Sequence, residues 1–225
     1  MIFIFNFNIS VFFILKYKIK YLELKKLGGS GGEDLFTVLQ DQTIEKGEDM
    51  LKQLEKYLKY DTKNKQNEDG KTPLHYAIHK KLSYKIIELL ITDDNKNIQD
   101  NNENTQLHLA ILLRLSGKII KLLITEKNKN IQTKNGDTHT PLHLAIEYKL
   151  SDEIIELLIT DNNKDIQDKN GMTPLHIAIK IKLSDEIIKL LITDKNKHVP
   201  DKNGMTPLHL AGYTNRPEEI IKLLK

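Results

Sequence analysis

The chain has no cysteine and no tryptophan in its 225 residues. Without thiols neither a disulfide framework nor a thiolate metal site can form, and a reducing compartment, the cytoplasm, is the expected location. Charge of one sign is also in short supply, since 34 Lys+Arg against 31 Asp+Glu leaves only +3. The lysines alternate with Asp, Glu or Asn and form no basic stripe interleaved with aromatics, so nucleic acid is not an expected partner. Nor does a glycine-rich phosphate loop precede a lysine. The one glycine-rich stretch, GGSGG at residues 28–32, runs into Glu33 and Asp34, which repel phosphate. With no cysteine nucleophile, and with Ser83, Ser116, Ser151 and Ser184 at expected helix starts, no catalytic constellation emerges, and neither an enzyme activity nor a cofactor is expected.

A long apolar run is missing too. IFIFNFNISVFFIL, residues 2–15, is broken by Asn6, Asn8 and Ser10 and is shorter than the roughly 20 residues a spanning helix needs. The lysines Lys16, Lys18 and Lys20 follow this run, whereas a secretory signal carries its positive charge in front. Residues 1–27 therefore read in one of three ways: a weak membrane anchor, a cap docked on the domain, or an upstream extension translated from AT-rich noncoding DNA. The last is preferred. Residues 28–33 read as a flexible linker.

What the chain does have is repetition. DGKTPLHYAI, NENTQLHLAI, NGDTHTPLHLAI, NGMTPLHIAI and NGMTPLHLAG place threonines at Thr72, Thr105, Thr140, Thr173 and Thr206, with spacings of 33, 35, 33 and 33. A fixed period in this range marks a solenoid, in which each unit buries its apolar face only against its neighbours.

The unit from Asp168 to Val199 shows the local logic. Asn170 and Gly171 supply turn chemistry. Thr173 offers an N-cap oxygen, and Pro174 takes the first helical position, where its missing N–H is no loss. Leu175, Ala178, Ile179 and Leu183 share one helical face. Ser184 caps a second helix whose first turn carries Asp185 and Glu186, favoured there by the helix dipole. Ile187, Ile188, Leu190, Leu191 and Ile192 form its apolar face. Thr193-Asp194-Lys195-Asn196 ends it as a polar cluster expected to stay in solvent. The alanine shared by every unit (Ala77, Ala110, Ala145, Ala178, Ala211) implies close backbone approach.

TPLHxA at this period, with a preceding Asp-x-x-Gly and following pairs such as IIELLI and IIKLLI, resembles the ankyrin repeat over about Gln53–Lys225. The resemblance implies an all-α solenoid of stacked helix-turn-helix units with projecting β-turn fingers. It also implies a non-catalytic protein-interaction scaffold, the alternative being a membrane-tethered adaptor or an effector acting in a host cell. Five units start near residues 72, 105, 140, 173 and 206, and residues 34–71 read as a helical N-terminal cap or partial repeat. In the family the histidine of TPLH hydrogen-bonds within the turn scaffold. That reading is preferred to metal binding for His75, His108, His143, His176 and His209, and the i, i+4 pairs His75/His79 and His139/His143 lack a convincing third ligand.

Several departures from the family pattern carry expectations of their own. Glu103 and Gln106 replace the glycine and proline of the second unit, where Asn101, Asn102 and Asn104 are expected to tolerate the turn. Two extra residues follow in NGDTHTPLH, so the stack is expected to be weakest around residues 100–140. The glycine usual between the helices gives way to HKKLS, EYKLS or KIKLS. At the C-terminus Ile220, Ile221, Leu223 and Leu224 leave an apolar face without a polar outer cap.

Family members usually bind through finger tips and the concave face of the first helices. By offset the tips include Lys134, Asn135, Asp137 and His139, and the helix ends include His79, Lys80, Leu112, Leu113, Glu147 and Lys180. The preferred partner-binding candidates are Tyr148, Met172, Met205, Tyr213, Lys169, Asn170, Ile181, Lys202 and Asn203, facing a protein partner the sequence does not identify. A membrane enters only if residues 1–27 form a real anchor.

Overall fold

The computed structural model describes residues 63–133 and 138–225. The N-terminal segment 1–27, the linker 28–33, most of the expected cap 34–71, and the tip residues Lys134, Asn135 and Asp137 lie outside the described residues. Ten α-helices and no strand occur among the described residues. They come in pairs: α1 (Pro73–His79) with α2 (Tyr84–Leu90), α3 (Gln106–Leu112) with α4 (Gly117–Leu123), α5 (Pro141–Glu147) with α6 (Asp152–Leu158), α7 (Pro174–Lys180) with α8 (Asp185–Leu191), and α9 (Pro207–Tyr213) with α10 (Glu218–Leu224). First helices pack on first helices of the next pair, and second on second.

Every helix is seven residues long. Helices this short are marginal alone in water, where about 12–15 residues are needed, so the stacking holds them. Leu142, Ala145, Ile146, Ile154, Ile155 and Leu158 represent the buried set that recurs in the inner pairs. Ala145 is fully buried, and Ala145→Leu is expected to destabilise by about 1–3 kcal/mol through overpacking. An unchanged melting temperature would refute that.

Helix starts follow the sequence logic on one side of each pair and depart from it on the other. The first helices are capped by Thr72, Thr105, Thr140, Thr173 and Thr206, each in a capping box whose third-position partner is histidine. Among the serines only Ser184 caps with its side chain, accepting from the Ile187 N–H at 3.4 Å. Ser83, Ser116 and Ser151 make no such bond. All three are exposed, so water can satisfy those hydroxyls.

The inter-helix glycine is replaced without changing the backbone it would have served. Lys81, Arg114, Lys149, Lys182 and Asn215 all adopt φ between 51° and 59°. After α1, Leu82 N–H bonds to Ala77 C=O and Lys81 N–H to Ile78 C=O, both at 2.9 Å, which is the Schellman ending normally built on glycine. An L-residue in this region carries about 1–2 kcal/mol of strain, partly offset by glycine's greater unfolded-state entropy. Replacing Lys81, Lys149 and Lys182 together by glycine is expected to raise the melting temperature by about 4–8 °C. A fall would show that these side chains stabilise the loops by contacts outweighing the strain.

The finger turn of the second unit corrects an expectation. Glu103, not a neighbouring asparagine, takes the left-handed conformation (φ 61°) that Gly70, Gly171 and Gly204 occupy elsewhere (71°, 76° and 77°). The turn's hydrogen-bond register puts the fourth residue there whatever its identity. Asp100 accepts the Asn102 and Asn104 N–H groups at 3.0 and 2.9 Å, as Asp168 does for Asn170 and Met172 at 2.7 and 2.8 Å.

Candidate partner-binding surface

Two buried polar systems hold the fingers and loops in register, and the exposed candidates stand on them. In the first, the His75 ring accepts at Nδ1 from the Thr72 backbone N–H at 3.0 Å and contacts Thr72 Oγ1 at 2.9 Å. A backbone N–H can only donate, so Nδ1 is bare and the ring proton sits on Nε2. That proton is donated to the Asn104 carbonyl of the next unit at 3.2 Å. His143 and His176 repeat the arrangement toward the Met172 and Met205 carbonyls at 3.3 and 3.2 Å. Burial lowers His75, His108 and His143 to about 4 and lowers His176 as well. Neutral, the rings of His75, His143 and His176 tether a helix start to the neighbouring finger, while His108 and His209 make only the capping-box contacts to Thr105 and Thr206. Among the described residues no cluster of three or more metal-type side chains occurs. His139 stacks on His143, centroids 5.8 Å apart, and its Nε2 lies 3.6 Å from the Asp168 carboxylate.

The second unit is the imperfect one. Gln106, in the proline position, donates to Thr72 Oγ1 and His75 Nδ1 at 3.2 and 3.1 Å but leaves its own buried Oε1 without a partner. His108 Nε2, directed at the His139 carbonyl beside the two-residue insertion, completes no hydrogen bond. The two unmet buried groups and the left-handed Glu103 all lie in this second unit.

The second system overturns a sequence reading. Asn196 is fully buried, as are Asn95, Asn128 and Asn163, so the last residue of the cluster ending α8 leaves solvent while Asp194 and Lys195 stay exposed. Asn163 Oδ1 accepts from Thr160 N–H at 3.0 Å, and its Nδ2 donates to the Leu158 carbonyl at 2.8 Å and to the Lys129 carbonyl of the preceding unit at 3.2 Å. Thr160 Oγ1 donates to Asn130 at 2.7 Å. The amide thus satisfies the frayed end of one second helix and ties it to the loop before. A signal was available: Thr92-x-x-Asn95, Thr125-x-x-Asn128, Thr160-x-x-Asn163 and Thr193-x-x-Asn196 recur with the repeat.

The candidates occupy distinct environments on this frame. Tyr213 is 86% exposed at the end of α9. Lys169, Asn170, Lys202 and Asn203 are exposed at the fingers of the fourth and fifth units, whose tips are joined by the Lys202 N–H to Asn170 C=O bond at 2.9 Å. Met172, Met205 and Ile181 are half-buried, with Met172 and Ile181 packed against the core. Tyr148 is half-buried as well, and Arg114 of the preceding unit lies over its ring at 5.0 Å. At the C-terminal end Ile220 and Leu224 are buried while Leu223 is 45% exposed, so the last apolar face is partly covered, with α10 packed against both α9 and α8. Arg216 reaches back to the Leu183 carbonyl at 2.9 Å and pairs with Asp185, a clamp made by the residue that replaces leucine in the inner units. No helix among the described residues is long and apolar enough to cross a membrane.

Stacked helix pairs, fingers joined tip to tip and capping-box histidines define a helical repeat solenoid. A model of the family described as ankyrin repeats (3 copies) matches residues 41–135, 83–163, 114–196 and 142–225, and the chain belongs to the ankyrin-repeat family. No curated protein matches it. Among solved structures, EF0377, an ankyrin repeat protein, aligns at 21% identity over 87% of this chain and 98% of its own, with a TM-score of 0.62. A chain from the complex of Bd0816, a predatory endopeptidase of Bdellovibrio bacteriovorus, with immunity protein Bd3460 aligns at 19% identity over 87% and 98%, with a TM-score of 0.60. These likenesses establish the fold. Ankyrin repeats are generic protein-interaction modules and generally non-catalytic.

Proposed function

We propose that the protein is a non-catalytic scaffold that binds a protein partner across its finger tips and the ends of its first helices. The observation that carries this reading is Tyr213, a large aromatic left 86% exposed at the C-terminal end of α9, as Ile181 stands at the C-terminal cap of α7. Aromatic and methionine side chains are enriched in interface cores, and a rigid stack holds them in place before binding. The repeat family supports interaction in general, and the complex of Bd0816 with immunity protein Bd3460 is an instance of protein association among fold neighbours.

The test uses the full chain and a full-chain variant carrying Tyr213→Ala, Tyr148→Ala, Met172→Glu and Met205→Glu in affinity capture from source-cell lysate, followed by direct titration of whatever is retained. The variant, shown equally helical by circular dichroism, is expected to bind at least tenfold more weakly. Equal affinity removes this face from consideration and directs attention to the exposed side of α10.

A further inference from the structure

Carboxylates are distributed unevenly along the candidate face. The finger and first-helix segments of the first three units each contain at least one: Glu68 and Asp69, then Glu103, then Asp137 and Glu147. The segments 169–183 and 202–216 contain none. They carry instead Lys169, Lys180, Lys182 and Lys202, all exposed. The two acids flanking them are turned inward on their own backbone. Asp168, its side chain 1% exposed, holds the Asn170 and Met172 N–H groups, and Asp201 holds those of Asn203 and Met205 at 2.8 and 2.9 Å.

The acids of the same two units lie on the other helices. Glu186, Glu218 and Glu219 are exposed in the first turns of α8 and α10. Within the fourth and fifth units the exposed charge at the fingers and first-helix ends is therefore all positive, whereas the second helices carry both signs, with Lys189 and Lys222 beside these acids and Lys189 paired with Glu219. The same two segments also carry the exposed Tyr213 and the half-buried Ile181, Met172 and Met205, so the lysines share these elements with apolar side chains.

From this segregation we infer that the partner engages the fourth and fifth units with an acidic peptide segment carrying an apolar anchor residue. The inference rests on the scaffold reading above and names the chemistry of its partner. Acidic side chains meet Lys180, Lys182 and Lys202 while the anchor covers Tyr213 and Ile181. Seven helical residues span about 10 Å, and the fingers extend the face further. An extended segment of about six to eight residues, at about 3.3 Å each, covers that distance. Peptide is favoured over nucleic acid because the face offers a single exposed aromatic and no series of stacking platforms.

Selection from a random 12-residue display library against the immobilised full chain tests this. Enriched peptides are expected to be net negative with an aromatic or aliphatic residue. They should lose at least tenfold in affinity for Lys180→Glu/Lys182→Glu/Lys202→Glu, and weaken as salt rises. The charge-matched control Lys85→Glu/Lys118→Glu/Lys127→Glu, on the first two units, should bind as the unmodified chain does. Neutral or basic peptides that are lost on Tyr213→Ala would overturn the acidic assignment while leaving the face in place. Peptides indifferent to both variants, or no enrichment at all, would overturn the assignment and the scaffold reading together. Displacement of the peptide by a single-stranded oligonucleotide at equal concentration would replace it with a polyanion site.

Discussion

Lowering the pH from 7 to 4 is expected to unfold the protein cooperatively, with loss of its helical circular dichroism signal at a midpoint between pH 4 and 6. His75, His108 and His143 are fully buried, and burial places each at about 4 in the folded chain. The ordinary histidine value in the unfolded chain is about 6.5. Between these limits the unfolded chain binds more protons, so stability is complete above about pH 6.5 and falls as pH drops toward 4. Each ring contributes on the order of 3 kcal/mol over that window, and the three together rival the roughly 5–15 kcal/mol by which a typical domain is stable. The structural cause is specific: a proton on Nδ1 would point at the Thr72, Thr105 or Thr140 N–H it now accepts from. His143→Gln keeps a capping-box side chain without the titration, so its acid transition should involve one proton fewer. Full helical signal at pH 4 would refute the assignment of these rings as neutral tethers.

The fold and the capping half of the histidines' role were legible because they depend on local chemistry repeated at a fixed period, whereas the bonds from His75, His143 and His176 Nε2 to the next unit were not. Thr72 to His75 is one helical turn, and proline at the first helical position confirms the start without any neighbour being known. Other features were not legible because they depend on what the adjacent unit supplies. Thr193-Asp194-Lys195-Asn196 reads as a solvated loop, yet Asn196 is buried because Lys164 of the preceding unit presents a carbonyl to it at 3.1 Å. Lys149 at φ 52° defies its own propensity because the Schellman bonds of the preceding helix decide the backbone. Likewise, offsets located Tyr148 and Tyr213 equally well, but only the structure separates a ring covered by Arg114 from one standing in water.

Asn163→Asp is expected to destabilise the protein by more than about 4 kcal/mol and to lower its melting temperature by about 8 °C or more. The change is nearly isosteric, so packing hardly alters, but the hydrogen-bond signs do. Nδ2 now donates to the Leu158 and Lys129 carbonyls at 2.8 and 3.2 Å. A carboxylate in that place sets oxygen against two carbonyl oxygens and leaves a charge at a fully buried position, where the single Thr160 N–H kept by the other oxygen does not offset the lost hydration. Asn163→Ala is expected to be milder, on the order of 3 kcal/mol. It strands the Thr160 N–H and the two carbonyls, each unmet buried group costing about 1–3 kcal/mol with relaxation recovering part. The neighbour supplies the control. Asn162 is exposed, and Asn162→Asp makes the same change in composition and charge with an expected effect within about 0.5 kcal/mol. If the two aspartate variants melt within a degree or two of each other, the buried amide is not what joins one unit to the next. If they separate as expected, the loops after the second helices are part of the stack's interior, and the Thr-x-x-Asn period is as much a fold determinant of this chain as TPLH.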